Sequence, residues 1–135
     1  PRVGFISYSD FGSAGGEEPE RVRRAVDLFR AARPDIPADG EMQADTAVVT
    51  ELLRARRPEG PLQRLPNVLV FPNLTAANAS YKLLNRLAGS EVIGPILTGL
   101  AGTVHVLQRD ASVNDVVNMT AIAVAEAQRR ERARV

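Results

Sequence analysis

Short apolar runs alternate with amphipathic stretches along most of this chain. Residues 3–8 form a compact apolar run of the kind that fills a strand buried on both faces. Between residues 19 and 33, apolar side chains recur at the spacing of one helix face, and Pro34 ends the pattern. Residues 68–71 predict a second buried strand. The first half therefore reads as strand, helix and strand, with a further helix predicted over residues 46–57.

The second half continues the alternation. A helix is predicted to begin at Thr75 as its N-cap and to end before Gly89. Residues 92–97 and 104–107 predict two more strands, and a long amphipathic helix follows Ser112. Strands separated by helices of this length indicate an α/β fold with a mostly parallel sheet covered on both sides.

In such sheets, ligands bind outside the carboxyl ends of the strands. This rule selects the loops over residues 9–16, 72–75 and 108–112. We expect them to converge on a site for a phosphorylated or acyl-phosphate-like ligand.

The first loop is rich in glycine and hydroxyl groups, including Ser9 and Ser13. Lying between a strand and a helix, it could hold phosphate in a backbone nest or simply turn the chain. The helix after the second loop carries Asn78 and Lys82 one turn apart. They could face a ligand together, or they could form an ordinary solvated surface.

The third loop carries the most specific pattern. Ser112 followed three residues later by Asp115 has the spacing of a capping box, so we expect a helix to begin there. The free N–H groups of a helix start attract anions, and Arg109 adds a cation nearby. The residues are compatible with an anion site and equally with a well-capped helix beside a surface arginine.

Two further features admit more than one reading. Residues 39–45 hold three carboxylates and a glutamine, which could bind a metal or act as a general base, or could form a solvated turn. His105, flanked by valines, is interpreted as a strand residue and not as a catalyst.

Composition narrows the function further. The net charge of +1 gives no field that would recruit nucleic acid or an anionic membrane, and no apolar run approaches a bilayer span. The absence of cysteine excludes disulfides and thiolate chemistry and fits a cytoplasmic protein. Because the chain starts at Pro1 and enters a strand almost at once, we expect it to be a segment of a longer protein.

Several motifs, in order and spacing, resemble the carboxyl-terminal part of phosphate acetyltransferases. They are Ser7-Tyr-Ser-Asp-Phe-Gly-Ser-Ala14, residues 39–45, Phe71-Pro-Asn-Leu74 with Asn78, Tyr81 and Lys82, Gly94-Pro-Ile-Leu97, and residues 109–121. The resemblance covers nearly the whole chain and under half of that enzyme. It implies that residues 1–135 are the carboxyl-terminal part of a phosphate acetyl/butyryltransferase-like domain. The implied fold is the three-layer α/β/α sandwich of the isocitrate and isopropylmalate dehydrogenases.

The resemblance also implies roles for individual residues. The family motif reads Ser-Arg-Gly before the final helix, and its Ser, its Arg and an Asp in the first helical turn are assigned to catalysis. Here the Arg falls on Arg109 and the Asp on Asp115, whereas the Ser falls on Gln108 and the Gly on Asp110. Gln108 cannot replace a small hydroxyl, and Asp110 places a negative charge near incoming phosphate.

The sequence around Gln108 looks instead like the acetyltransferase-like tail of bacterial NADP-dependent malic enzymes. The resemblance implies a tail that binds acetyl-CoA or CoA, regulates malate oxidation to pyruvate and joins subunits into a homo-oligomer. NADP and a divalent metal would belong to an upstream malic-enzyme domain. The ligand would contact the residues Arg109, Gln108, Ser112, Asp115, Ser9, Ser13, Asn78 and Lys82. The alternatives are an active phosphate acetyltransferase and a purely structural oligomerisation domain.

Overall fold

The structure, a computed structural model, describes residues 1–89 and 92–133. The chain forms two compact units, Pro1–Lys82 and Leu83–Val135. None of the helices in the described ranges is long and apolar enough to span a membrane.

The first unit is built on a parallel sheet of three strands. β1 (Val3–Ile6) lies between β2 (Ala38–Met42) and β3 (Val68–Val70) and pairs in parallel with both. All four residues of β1 are buried, as its continuous apolar sequence predicts. α1 (Glu17–Ala32) connects β1 to β2. The predicted α/β class with a parallel sheet is therefore confirmed.

Alternation of side chains along β1 produces two apolar clusters, one on each face of the sheet. Val3 and Phe5 pack with α1, and the rings of Phe5 and Phe29 meet edge to face at 5.7 Å. Ile6 packs with α2 (Ala44–Val48) and α3 (Thr50–Arg56). The first cluster contains Val3, Phe5, Val22, Val26 and Ala38, and the second contains Ile6, Met42, Ala47, Leu53 and Leu62.

Gly4 lets the chain before β3 lie directly against β1. A Cβ at this position would fall 2.9 Å from Cγ of Pro66 and 3.4 Å from Sδ of Met42. The neighbouring connection is held by Arg2, whose N–H donates to the Asn67 side chain at 2.7 Å and whose Nε donates to the Leu65 carbonyl at 2.8 Å. The close approach therefore needs a residue without a side chain.

The solvated turn considered for residues 39–45 is wrong. Ala38–Met42 form β2, and Asp39 and Glu41 are fully buried in it. Their carboxylates are compensated by arginines, because Arg30 lies 2.5 Å from Asp39 and Arg23 lies 3.0 Å from Glu41. Charge pairing thus overrides the polar pattern on which the turn was based.

The helix predicted over residues 46–57 is present but interrupted. Val49 has extended backbone angles, with φ −120° and ψ 115°, so α2 ends and α3 begins around it. The strand predicted over residues 68–71 is present as β3, but its predicted burial is wrong, since Val68 is 41% and Val70 39% exposed.

α4 (Leu74–Leu87) confirms the next predicted helix, with a different cap. The Asn73 side chain accepts from the N–H of Ala76 at 2.9 Å, so Asn73, and not Thr75, caps the helix. Gly89 follows the helix with φ 59°, the left-handed conformation expected after a helix end.

The last helix, α5 (Val113–Arg132), begins at Ser112 as predicted. The two strands predicted before it, over residues 92–97 and 104–107, are wrong: within the described part of the second unit these segments form no strand. Their apolar side chains are largely exposed, with Val104 56% and Val106 50% accessible. An apolar sequence suits a strand, but pairing needs a neighbouring backbone, which these segments lack among the described residues.

Candidate functional site

A buried carboxylate occupies the loop that follows β1. Oε1 of Glu41 accepts from the Ser9 hydroxyl at 2.8 Å, from the Gly12 N–H at 2.8 Å and from Nη1 of Arg23 at 3.0 Å. The Phe11 N–H also donates to the Glu41 carbonyl at 2.8 Å. The nest predicted to hold a ligand phosphate is therefore filled by an anion from the protein itself.

These contacts decide the charge state of Glu41. Burial raises the pKa of this carboxyl, but the Gly12 N–H, the Ser9 hydroxyl and the Arg23 charge outweigh burial, so its pKa lies below the ordinary 4.5. Its second oxygen, Oε2, is buried without a hydrogen-bond partner among the described residues. Glu41 is thus an ionised structural anion that orders the loop.

The two serines of this loop differ in access. Ser9 is fully buried, and its hydroxyl also contacts the Ala14 carbonyl at 3.2 Å. Ser13 is exposed, and its Oγ accepts from the Asp10 N–H at 2.9 Å. Only Ser13 presents its hydroxyl to solvent.

The Arg56 side chain lies beside the same loop and contacts several polar groups. Nη1 of Arg56 contacts Oδ2 of Asp10 at 2.5 Å and also the Thr46 hydroxyl. An open cleft of about 470 Å³ next to this contact is lined by Asp10, Phe11, Ser13, Gln43 and Arg56. Arg56 and Asp10 neutralise each other, so the cleft presents fixed polar groups with little net charge.

The other predicted residues of the first unit are exposed on α4. Asn78 and Lys82 are both accessible, and Nζ of Lys82 lies 5.7 Å from the centre of the Tyr81 ring. They can contact a ligand without displacing a buried contact.

The predicted capping box is present at the start of α5. The Ser112 hydroxyl accepts from the Asp115 N–H at 3.2 Å, while Oδ2 of Asp115 accepts from the Ser112 N–H at 2.7 Å and from its hydroxyl at 2.8 Å. The backbone and side-chain hydrogen bonds from Ser112 hold the pKa of Asp115 below its usual value. Asp115 is therefore an ionised cap with a low tendency to accept a proton.

Arg109 and Gln108 lie in the turn immediately before this cap. The Ala111 N–H donates to the Gln108 carbonyl at 3.1 Å, which closes the turn. Both side chains are exposed, and the Arg109 guanidinium makes no hydrogen bond or ion pair with any residue in the described ranges. A cation without a partner thus lies three residues before the N-cap of a helix, an arrangement that suits an anionic ligand.

The predicted ligand-binding residues fall into both units. The first unit contains Ser9, Ser13, Asn78 and Lys82, and the second contains Gln108, Arg109, Ser112 and Asp115. Their convergence on one site stays a prediction. For residues 1–89 and 92–133, no group of three or more acidic or histidine side chains is arranged to hold a metal ion. The metal-binding alternative for residues 39–45 is not supported, since Asp39 and Glu41 are paired with arginines.

Sequence reasoning missed the residues that hold the first loop in place. Glu41, Arg23 and Arg56 act through contacts between residues 18 to 46 positions apart, which no local pattern encodes. The one available signal was the pair Asp39 and Glu41, which alternate with apolar residues in the manner of a strand.

The fold and the site together define an α/β protein with a candidate anion site before its last helix. The family described as Phosphate acetyl/butaryl transferase matches residues 1–124, and the chain belongs to this family. It is 50% identical over 127 residues to a phosphate acetyltransferase of Paracoccus denitrificans, covering 93% of this chain and 40% of that protein. It is 45% identical over 130 residues to the NADP-dependent malic enzyme of Escherichia coli, covering 95% of this chain and 17% of that protein.

Solved structures show the same relationship. The EutD phosphotransacetylase from Staphylococcus aureus superposes with a TM-score of 0.87 at 37% identity, covering 94% of this chain and 40% of that one. A phosphotransacetylase from Streptococcus pyogenes gives a TM-score of 0.89 at 34% identity, covering 96% of this chain and 39% of that one. The resemblance stated from the motifs, to phosphate acetyltransferases and to the malic-enzyme tail, is confirmed. The chain spans about 40% of the phosphate acetyltransferase and 17% of the malic enzyme.

Proposed function

We propose that this chain is an acyl-CoA-binding regulatory and assembly module of an NADP-dependent malic enzyme, and that it does not itself transfer acyl groups. The observation that carries the proposal is the site before α5. Arg109, which has no hydrogen-bond or ion-pair partner among the described residues, lies there beside Gln108. Gln108 occupies the position where the resemblance to the family expects a serine.

The coenzyme A part of the proposal rests on charge. Coenzyme A carries phosphate groups, and an exposed guanidinium near a helix start is a suitable partner for them. The proposed contacts are completed by the exposed side chains of Gln108, Ser112, Ser13, Asn78 and Lys82. Ser9 is buried and would contribute by holding the loop in place.

The loss of acyl transfer rests on proton chemistry. Attack by the coenzyme A thiol, whose reference pKa is ~8.5, needs a base. Asp115 would be that base, yet its Oδ2 accepts two hydrogen bonds from Ser112, and these hold its pKa low. Together with the missing serine hydroxyl at Gln108, this favours binding without turnover.

Three measurements on the full-length protein test the proposal. Calorimetry should detect acetyl-CoA binding, and malate oxidation with NADP should change when acetyl-CoA is added, by a coupling of ~1 to 3 kcal/mol. Mixing acetyl phosphate with coenzyme A should produce no acetyl-CoA. Acetyl-CoA production would favour the alternative, an active phosphate acetyltransferase, for which the 50% identity to the Paracoccus enzyme is the supporting observation. Absence of binding would leave a purely structural oligomerisation domain.

A further inference from the structure

His105 is a buried polar side chain with no hydrogen bond. Its side chain is 3% exposed, and neither Nδ1 nor Nε2 has a hydrogen-bond partner among the described residues. Buried polar groups are nearly always hydrogen-bonded, so an exception calls for an explanation. The group closest in charge is Glu126 on α5, whose Oε2 lies 3.2 Å from Nε2, within ion-pair distance but off the direction of a hydrogen bond.

Glu126 is itself fixed by Arg130, one turn later on α5. Oε1 of Glu126 accepts from Nε of Arg130 at 3.1 Å and from Nη2 at 2.6 Å. Nη1 of Arg130 donates to the carbonyls of Leu100 at 2.7 Å and Ala101 at 3.1 Å. His105, Glu126 and Arg130, here named the α5 brace, thus tie the segment before Arg109 to the carboxyl-terminal half of α5.

The chain between the brace and the cap is short. It leaves the brace at His105 and reaches the N-cap of the same helix at Ser112. Arg109 therefore lies in a link whose two ends are fixed to one helix, by the brace at one end and by the Ser112–Asp115 capping box at the other. A link held at both ends loses less conformational entropy when a ligand binds, which raises affinity.

The brace contains one imidazole, that of His105. Imidazole is the side chain whose charge changes between about pH 5 and pH 8. Glu126 stays ionised in that range, because the Arg130 hydrogen bonds hold its pKa below the usual value and the charges of Arg130, His105 and Arg129 act in the same direction. On α5, the charged groups near the imidazole are thus one carboxylate and, beyond it, Arg130 and Arg129.

We infer that His105 is a positioning residue for the Arg109 turn, and that its protonation tightens the α5 brace and so strengthens ligand binding. This inference rests on the proposed function for the identity of the ligand. A positively charged imidazole attracts the Glu126 carboxylate, whereas a neutral imidazole leaves two buried nitrogens with no strong partner. The sign follows: binding is tighter below the pH at which the imidazole loses its proton and weaker above it.

The test compares acetyl-CoA affinity at about pH 6 and about pH 8 in the full-length protein. We expect the wild type to bind about two- to fivefold more tightly at the lower pH, the size of one partly screened ion pair. His105→Gln keeps an amide N–H near Glu126 but cannot titrate, so the ratio should fall to the background set by the phosphate groups of the ligand. Glu131→Gln, which changes an exposed glutamate on α5, is the matched control and should keep the wild-type ratio.

A second measurement needs no ligand. The backbone amide signal of Arg109 should move with pH together with the His105 ring signals, and this movement should vanish in His105→Gln. If acetyl-CoA binds but His105→Gln keeps both the affinity ratio and the Arg109 titration, the inference is wrong and the proposed function stands. If acetyl-CoA does not bind while the Arg109 amide still follows His105, the proposed function is wrong and the brace stands.

Discussion

The two loops predicted to bind an anion differ in whether the protein itself supplies a partner for their polar groups. In the loop after β1, Glu41 accepts from Ser9, Gly12 and Arg23, so the donors that a phosphate would use are already engaged. In the turn before α5, Asp115 engages Ser112 but leaves Arg109 without a partner among the described residues. A loop rich in glycine and serine is thus a structural anchor when the fold supplies its own anion. The turn before α5 instead leaves the Arg109 guanidinium exposed, which is why we propose the anion site there.

The largest expected loss of stability comes from removing the Glu41 carboxylate from the loop after β1. Glu41→Ala leaves Arg23 and the donors of the loop without their anion, so we expect a loss of about 3 to 5 kcal/mol in the free energy of unfolding. Chemical denaturation measures it, with the exposed Glu51→Gln on α3 as the control that should change little. A stable Glu41→Ala protein would mean that the loop needs no internal anion.

The wild type should also lose stability as the pH falls below the ordinary glutamate value of 4.5, because the pKa of Glu41 is depressed in the folded state.

The second-largest expected effect concerns Arg109, in the turn before α5. Arg109→Gln removes an exposed cation that makes no hydrogen bond or ion pair with the described residues, so stability should stay the same while acetyl-CoA affinity falls about tenfold or more. Calorimetry on the full-length protein measures the affinity, and Arg132→Gln, at the far end of α5, provides a control of equal charge change. Unchanged affinity in Arg109→Gln would remove this arginine from the proposed site.

The smallest expected loss of stability comes from removing the Ser112 cap of α5. Ser112→Ala removes the hydroxyl that accepts from the Asp115 N–H, and we expect a loss of about 1 kcal/mol in the free energy of unfolding. Ser112→Asn, which keeps a capping side chain, should lose much less. Equal losses in the two variants would show that the capping hydrogen bond contributes little.

The elements of the first unit were largely predictable from the sequence because their signals are local. The apolar run of β1 and the helical spacing of α1 each depend on residues within a few positions of one another, and the same holds for the Ser112–Asp115 cap of the second unit. The alternation of Asp39 and Glu41 with apolar residues was a signal for β2, but their burial was not predictable, because it depends on Arg30 and Arg23, which reach them from α1.

The site was predictable in part for the same reason. The capping box and the place of Arg109 before it follow from one short stretch, whereas the Glu41 contacts and the α5 brace depend on residues far apart in the sequence. The sequence interpretation of His105 was wrong in placing it on a strand. Burial beside Glu126 could not be read from its valine neighbours.

The close contact at Gly4 limits what substitution can do to the first unit. Even one methyl group there would meet the Pro66 ring, and the ring cannot retreat without pulling on the Arg2–Asn67 link that leads into β3. We therefore expect Gly4→Ala to lower the free energy of unfolding, because β1 and the chain before β3 must move apart to admit the methyl group.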